Sequence, residues 1–170
     1  MTLPLGEHDS RLLRFVVPGP AVGKGRHRTG RNRATGAPQH FAPAKTVTYE
    51  RLVATYGRLA YGMRAPFEGA FFIVVVAEYM PPKSWSKTKT DKAYSGLILH
   101  EVKPDGSNIG KAVEDALNKI VYCDDSAAII TLTFKRYSRM ERTTVSIYDA
   151  TKENAVQTLC ADLLAAWGPV

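Results

Sequence analysis

The sequence predicts a single α/β domain in which a mixed β-sheet of about four or five strands is packed with helices. Its strongest strand is 71–79, a nearly continuous run of β-branched and aromatic residues that is typical of a strand buried on both faces. Its strongest helix is 108–121, whose apolar residues recur at i, i+4, i+7, i+8, i+11 and i+12 and so form one stripe. A chain of 170 residues, 45% of them hydrophobic, has room for one domain with a sizeable core.

The other elements alternate between strand and helix patterns. Segments rich in β-formers predict further strands at 11–17, 97–103, 127–137 and 143–148, with the last two paired as a hairpin. Helical spacing predicts helices at 43–63 and 153–167. We therefore expect a loose N-terminus at 1–10, the body of the domain at 11–150, and a C-terminal amphipathic helix within 151–170 that packs on the same domain. The stripe of this last helix serves either core packing or a partner face, and Cys160 on it is interpreted as a buried small hydrophobe.

The charge favours an anionic partner, because the formal net charge is +7 at pH 7. No apolar run approaches the roughly 20 residues that a membrane-spanning helix needs, and the first residues do not resemble a signal peptide. The two cysteines have neither the spacing of metal ligands nor that of a disulfide framework. We expect a cytoplasmic protein that has no membrane partner.

Residues 21–45 form a glycine-rich basic loop, and the sequence contains no acid between Asp9 and Glu50. Arginine suits phosphate because its planar fork can donate two hydrogen bonds at once. The alternative is a solvated loop that merely carries charge. The Gly-x-Gly at 23–25 lacks the full nucleotide-binding pattern, so no nucleotide cofactor is expected. The candidate DNA contacts in this loop are Lys24, Arg26, Arg28, Arg31 and Arg33.

Residues 82–96 form a second polar segment, predicted as a long loop in which lysines alternate with aromatic residues. Cations together with exposed rings suit a DNA strand or an opened junction, where rings stack on unpaired bases. The alternative is a flexible loop whose tryptophan packs into the core. The candidate DNA contacts here are Lys83, Trp85, Lys87 and Lys89.

Acidic residues bracket the helix at 108–121. Asp105 precedes it, with Ser107 or Asn108 as the predicted N-cap, and Asp124 and Asp125 follow it. A helix of this length is roughly 20 Å long, so the acids meet only if the chain doubles back beside the start of the helix. Clustered carboxylates repel unless a cation joins them, and Mg²⁺ prefers oxygen ligands, which indicates a magnesium site that handles phosphate. The alternative is that both acidic segments are ordinary turns.

The stretch 103–125 resembles the central motif of the RusA family of Holliday junction resolvases, and the similarity extends over roughly 12–148. The family pattern is Lys-Pro-Asp-x-Asp-Asn-x-x-Lys, then Asp-Ala-Leu-Asn, then a hydrophobic pair and Asp-Asp. The residues that match this pattern in order are Lys103, Pro104, Asp105, Asn108, Lys111, Asp115, Ala116, Leu117, Asn118, Asp124 and Asp125.

The resemblance implies a RusA-like fold, a homodimer, and Mg²⁺-dependent cleavage of four-way junction DNA in recombination and repair, with Mn²⁺ as a possible substitute. It also implies that Asp105 and one of Asp124 and Asp125 ligate the metal. Lys111, one turn into the helix, would steady the charge of the reacting phosphate or orient the attacking water. In the absence of that role, Lys111 would form only an i,i+4 pair with Asp115.

Ser107 departs from the family pattern, because it occupies the position of the second Asp, a family metal ligand. A serine hydroxyl can touch Mg²⁺ but is neutral, so the site loses one negative charge. The chain is then a natural variant that still cuts, a natural variant that only binds junctions or DNA, or a sequence altered to block cleavage. RNA binding by a basic protein is a third and weaker hypothesis.

Overall fold

The computed structural model describes residues 10–25, 28–31 and 35–167. Its strands are β1 (Arg11–Pro18), β2 (Arg28–Arg31), β3 (Pro38–Phe41), β4 (Phe71–Tyr79), β5 (Ala128–Tyr137) and β6 (Arg142–Asp149). Its helices are α1 (Ala44–Tyr61), α2 (Lys87–Tyr94), α3 (Gly106–Leu117) and α4 (Ala155–Trp167). A short 3₁₀ turn, Asp125–Ala127, precedes β5.

The main sheet has four strands in the order β1-β6-β4-β5, while β2 and β3 form a separate antiparallel pair. Strand β6 runs antiparallel to both β1 and β4, whereas β4 and β5 are parallel. The predicted mixed sheet within an α/β fold is therefore confirmed. Parallel strands need a long crossover, and here α2 and α3 lie in the chain between β4 and β5.

The core is continuous on the face of the sheet that carries α1 and α3. Every residue of β4 is buried, as its unbroken apolar run predicts. Phe71, Ile73 and Val75 face α1 and α3, and the alternate residues face a smaller cluster with α4. Helix α4 contributes Ala155 and Leu159 to that cluster. Among the described residues, no helix is both long enough and apolar enough to cross a membrane.

A buried ionic clamp joins three strands at one end of the sheet. Glu78 on β4 is only 1% exposed and accepts hydrogen bonds from Arg136 on β5 and from Arg142 on β6. Burial alone would raise the pKa of Glu78, but the two guanidinium groups outweigh it and lower that pKa below its usual value. A carboxylate buried this deeply is tolerated because both partners are present.

Several predicted elements are wrong in detail. Residues 97–103 are not a strand, and β6 does not form a hairpin with β5, because β4 lies between them. The basic loop contains the β2–β3 hairpin, and the second polar loop contains α2. Cys160 is exposed rather than buried, since it lies on the outer side of α4. Predicted N-terminal residues 1–9 lie outside the described residues.

Candidate active site

Helix α3 positions the site because it is pressed closely against β5. Ile109, Val113 and Leu117 are fully buried and fix the rotation of the helix on the sheet. Gly110 faces β5, where an added Cβ would stand 2.8 Å from Thr133 Oγ1. The absence of a side chain at this position therefore lets the helix approach the strand closely. The exposed face of α3, with Lys111 on it, is left to solvent.

Asp105 is the N-cap of α3, so the predicted caps Ser107 and Asn108 are wrong and lie inside the helix. The carboxylate of Asp105 does not cap the backbone and accepts a 3.3 Å hydrogen bond from Asn108 Nδ2. The preceding peptide bond, Lys103–Pro104, is cis. Asp105 is exposed, and its carboxylate oxygens do not accept a capping hydrogen bond from the backbone N–H groups of the first turn of the helix.

Lys135 on β5 holds the segment that leads to Asp105. Its ammonium donates hydrogen bonds to the carbonyl oxygens of Val102, at 2.8 Å, and Pro104, at 3.0 Å. These two bonds attach the entry of α3 to the neighbouring strand. No local sequence pattern indicates this role for Lys135, because its two partners are 33 and 31 residues away in the chain.

Asp125 reaches α3 from the other end of the motif. After α3 the chain turns back through the 3₁₀ turn, and Asp125 Oδ2 lies 2.7 Å from Lys111 Nζ. Lys111 Nζ also lies 3.1 Å from Asp115 Oδ1. The hydrogen bonds to Asp125 and then to Asp115 raise the pKa of Lys111 above its usual value, so it stays an ammonium at neutral pH. The predicted pair with Asp115 and the contact with Asp125 thus occur together.

Asp124 takes a different position from its neighbour. It is fully exposed and accepts a 2.9 Å hydrogen bond from the backbone N–H of Ser126. The hydrogen bonds from Ser126, followed by the nearby Lys119, lower the pKa of Asp124. Asp124 therefore caps the 3₁₀ turn, and Asp125 is the acid that contacts Lys111 on the exposed face of α3.

Lys24 connects the basic loop to the same network. Its ammonium lies 2.5 Å from Asp115 Oδ2 and 2.7 Å from Glu50 Oε1. Burial would raise the pKa of Asp115, but its hydrogen bonds with Lys24 and Lys111 outweigh this and lower that pKa. The backbone N–H of Lys24 also donates to Asn108 O at 2.7 Å. Lys24 thus pairs with two acids of the chain itself, and its contact with DNA remains a prediction.

A cleft of about 800 Å³ lies between the basic loop and the start of α3. One wall is the loop from Ala21 to Gly25, and the other is formed by residues 103–105 and Asn108. An added Cβ at Gly23 would stand 3.0 Å from Pro104 Cβ, so the loop and the motif are in close contact. Asp105 lines this open cleft between the loop and the start of α3.

The oxygen donors suit a cation that is bound by few protein ligands rather than one that is enclosed by them. Among the residues that the structure describes, no group of three or more His, Cys, Asp or Glu side chains is close enough to hold a metal together. Asp105 and Asp125 are both carboxylates, the ligand class that Mg²⁺ prefers, and Mg²⁺ is usually bound by one or two carboxylates with water and phosphate. Ser107 is exposed in the first turn of α3 and adds no charge. The donors present are thus chemically compatible with Mg²⁺.

A known protein family matches most of the chain. The family described as endodeoxyribonuclease RusA matches residues 18–148 of the chain. The chain belongs to the RusA family. A protein of Bacillus subtilis (strain 168), named only as uncharacterized protein YqaN, is 36% identical over an alignment of 142 residues. The match covers 79% of this chain and 94% of the relative. The family match spans α3, both acidic ends of its motif and the cleft.

The structure places the predicted DNA contacts of this RusA-family chain unevenly. Arg31 on β2 and the lysines Lys83, Lys87 and Lys89 are exposed. Arg26 and Arg33 lie outside the described residues, as does the side chain of Arg28. These positions remain predictions.

Trp85 is half-buried rather than presented as an open stacking platform. Its ring packs edge-on against Tyr137, with ring centroids 5.2 Å apart, and Lys89 Nζ lies 4.1 Å from the centre of the ring. Packing on the core was the alternative for this residue, and its contacts match that alternative. The face that Lys89 covers stays at the surface.

Proposed function

We propose that this RusA-family chain is a Mg²⁺-dependent, structure-specific endodeoxyribonuclease that resolves four-way DNA junctions. The observation that carries the proposal is the position of Lys111. Its ammonium joins Asp125 and Asp115, and Asp105, the N-cap of the helix that bears Lys111, lines the open cleft. Two separated acids and one permanent cation on one surface suit phosphodiester hydrolysis.

Asp105 and Asp125 would hold the magnesium ion, with Ser107 as a weak neutral neighbour. Bound Mg²⁺ supplies charge stabilisation at the phosphate and an acidified water as nucleophile. Lys111 would keep a positive charge beside the reacting phosphate oxygens, because its carboxylate partners keep it protonated. Asp115 and Lys24 would hold Lys111 in place from behind.

DNA binding would come from the exposed cations on both sides of the cleft. Arg31 lies on the β2–β3 hairpin, and Lys83, Lys87 and Lys89 lie on or before α2. A homodimer would place two such sites across the two-fold axis of a four-way junction. The enzyme would then cut two strands symmetrically.

Cleavage of a synthetic four-way junction in the presence of Mg²⁺ tests the proposal. We expect Asp105→Asn and Lys111→Met each to lower the single-turnover rate by at least about 100-fold, because each removes a charge at the reacting phosphate. Asp91→Asn is the matched control, since Asp91 is an exposed acid on α2 outside the cleft. Equal rates for all four proteins would contradict the assignment of the site.

A second candidate function is junction binding with little or no cleavage. It is favoured by Ser107, which leaves the described part of the site without a group of three acids. In that case the chain would bind four-way junctions more tightly than duplex DNA and would leave both strands intact. Competition among four-way junction, duplex and RNA distinguishes junction binding from general nucleic-acid binding, because phosphate contacts are common to all three.

A further inference from the structure

We propose that Leu97, Leu99 and Val102 form an aliphatic wedge that enters the opened base stack at the branch point of a DNA junction. The inference rests on the proposed function, since it specifies how the same site would select branched DNA. The wedge lies in the segment between α2 and α3, which ends at Asp105.

The three side chains are unusually exposed for aliphatic residues so close together in the chain. Leu97 is 75% exposed, Leu99 51% and Val102 60%. Two of the residues between them point the other way, because Ile98 packs against the core and His100 is buried, whereas Glu101 is exposed. The segment thus presents Leu97, Leu99 and Val102 to solvent, while Ile98 and His100 attach it to the rest of the protein.

The anchoring is extensive, so the wedge is presented on a fixed support. The His100 ring stacks on Tyr79, with centroids 4.1 Å apart, and packs at a tilt on Tyr137, at 5.0 Å. The backbone N–H groups of Leu97 and Ile98 donate to the carbonyl of Lys92 at the end of α2. Lys135 secures the other end of the segment at Val102 O and Pro104 O.

The surroundings of the wedge match a nucleic acid better than an apolar protein surface. Exposed lysines stand on both sides of it in the chain, at 83, 87, 89 and 92 before it and at 103 after it. The segment also carries the exposed acid Glu101, whose charge contributes, after burial, to the raised pKa of Tyr137. An apolar centre within a mostly cationic border is the arrangement by which proteins unstack bases while holding the flanking phosphates.

The wedge is close enough to the cleft to act on the same strand. Val102 is three residues from Asp105, which limits their Cα separation to about 10 Å. Because bases along one strand rise by about 3.4 Å, a base unstacked by Val102 lies within about three steps of the phosphate at Asp105. Aliphatic side chains inserted between base steps unstack them, and this costs least where the stack is already interrupted, as at a branch point.

The test compares full-length protein with the triple variant Leu97→Ser/Leu99→Ser/Val102→Ser. The control triple is Leu59→Ser/Met63→Ser/Leu164→Ser, which removes apolar side chains that are at least as exposed from other surfaces. Binding is measured at one salt concentration to a four-way junction and to duplex of equal length. A 2-aminopurine base placed at the branch point, or twelve pairs along one arm, reports unstacking by its fluorescence. Thermal melting and light scattering verify folding and oligomeric state.

The wedge predicts that wild type and the control triple brighten the branch-point probe but not the probe in the arm. The wedge triple should lose that signal and at least about tenfold of the preference for junction over duplex, with duplex affinity unchanged. A wedge triple that keeps both the signal and the preference overturns the wedge and leaves the proposed function intact. A change of oligomeric state in this variant also overturns it, because the surface would then join two copies of the chain. A wild-type protein with no junction preference would refute the proposed function itself.

Discussion

Lys111 is the residue that joins Asp125, the acid after the helix of the central motif, to the helix itself. Its Nζ lies 2.7 Å from Asp125 and 3.1 Å from Asp115, so one ammonium serves both carboxylates. The motif in the sequence indicated Asp105, Lys111 and an Asp-Asp pair as the site. It could not separate Asp124 from Asp125, because that distinction depends on which carboxylate caps the 3₁₀ turn. Glu50 and Lys135 were missed as supporting residues, because their partners are far away in the chain.

From the ion pairs of Lys24, we predict that this residue stabilises the fold rather than binding DNA. Lys24→Met should lower the unfolding free energy by about 1–2 kcal/mol, because Glu50 and Asp115 lose a partly buried cation. The salt dependence of DNA binding should stay unchanged. Denaturant unfolding and binding titrations at several salt concentrations measure these two effects.

Lys87→Met is the matched control for this prediction, because Lys87 is exposed on α2. It should leave stability unchanged and should reduce the slope of log K against log salt by about one. If Lys24→Met instead reduces that slope and spares stability, Lys24 contacts phosphate and the original sequence-based assignment of it was correct.

His100 is predicted to make stability depend on pH. Burial and the nearby Lys135 charge lower its pKa in the folded state below the ordinary value of 6.5. The unfolded chain therefore takes up the proton first, and the unfolding free energy should fall as pH drops below about 6.5. His100→Phe, which keeps the stacking on Tyr79, should remove this part of the pH dependence. Urea unfolding at pH 8, 6.5 and 5.5 tests it, and parallel curves for the two proteins would contradict the assignment.

The elements were predictable where a local pattern decides them. The apolar run predicted β4, and the i, i+4, i+7 stripe predicted α3, although the helix spans Gly106–Leu117 rather than 108–121. Pairing was not predictable in the same way. Strands β5 and β6 are neighbours in sequence and look like a hairpin, yet β4 separates them in the sheet. The segment 97–103 has alternating apolar residues but is held by His100 stacking and Lys135 rather than by strand pairing.

Gly110 is predicted to set the distance between α3 and β5. Gly110→Ala gains helix propensity of about 1 kcal/mol, but its Cβ would stand 2.8 Å from Thr133 Oγ1 and 3.1 Å from Thr131 Cγ2. We expect a net loss of stability of up to about 2 kcal/mol, because overpacking typically costs about 1–3 kcal/mol. Junction cleavage should fall as well, since the helix that carries Lys111 would shift.

Gly106→Ala is the control within the same helix. Its Cβ would meet Thr133 at 3.7 Å, which is ordinary van der Waals contact. Chemical unfolding of both variants should therefore show that only Gly110→Ala is destabilised. Equal stability of the two variants would mean that the strand yields at Gly110 and that the close approach is not required.

At the scale of the whole molecule, the sheet provides a stable platform, and the segment that leads to Asp105 is attached at one end of it. The Glu78 clamp ties β4, β5 and β6 together beside Tyr79 and Tyr137, which support the segment that leads to Asp105. The cleft lies between this segment and the basic loop. The RusA-type central motif thus supplies one wall of the cleft. It also supplies Lys111 and its partners Asp115 and Asp125, which lie on α3 and on the turn after it.

The most direct test of the central claim is single-turnover nicking of a four-way junction at several Mg²⁺ concentrations, with Ser107→Asp measured beside the chain as it stands. The account predicts that Ser107→Asp cuts at least about tenfold faster at limiting Mg²⁺. The substitution adds a carboxylate in the first turn of α3, where the helix dipole also favours a negative charge. If both proteins fold and bind the junction but neither nicks it at any Mg²⁺ concentration, the surface formed by Asp105, Lys111 and Asp125 is not a phosphodiester-cleaving site.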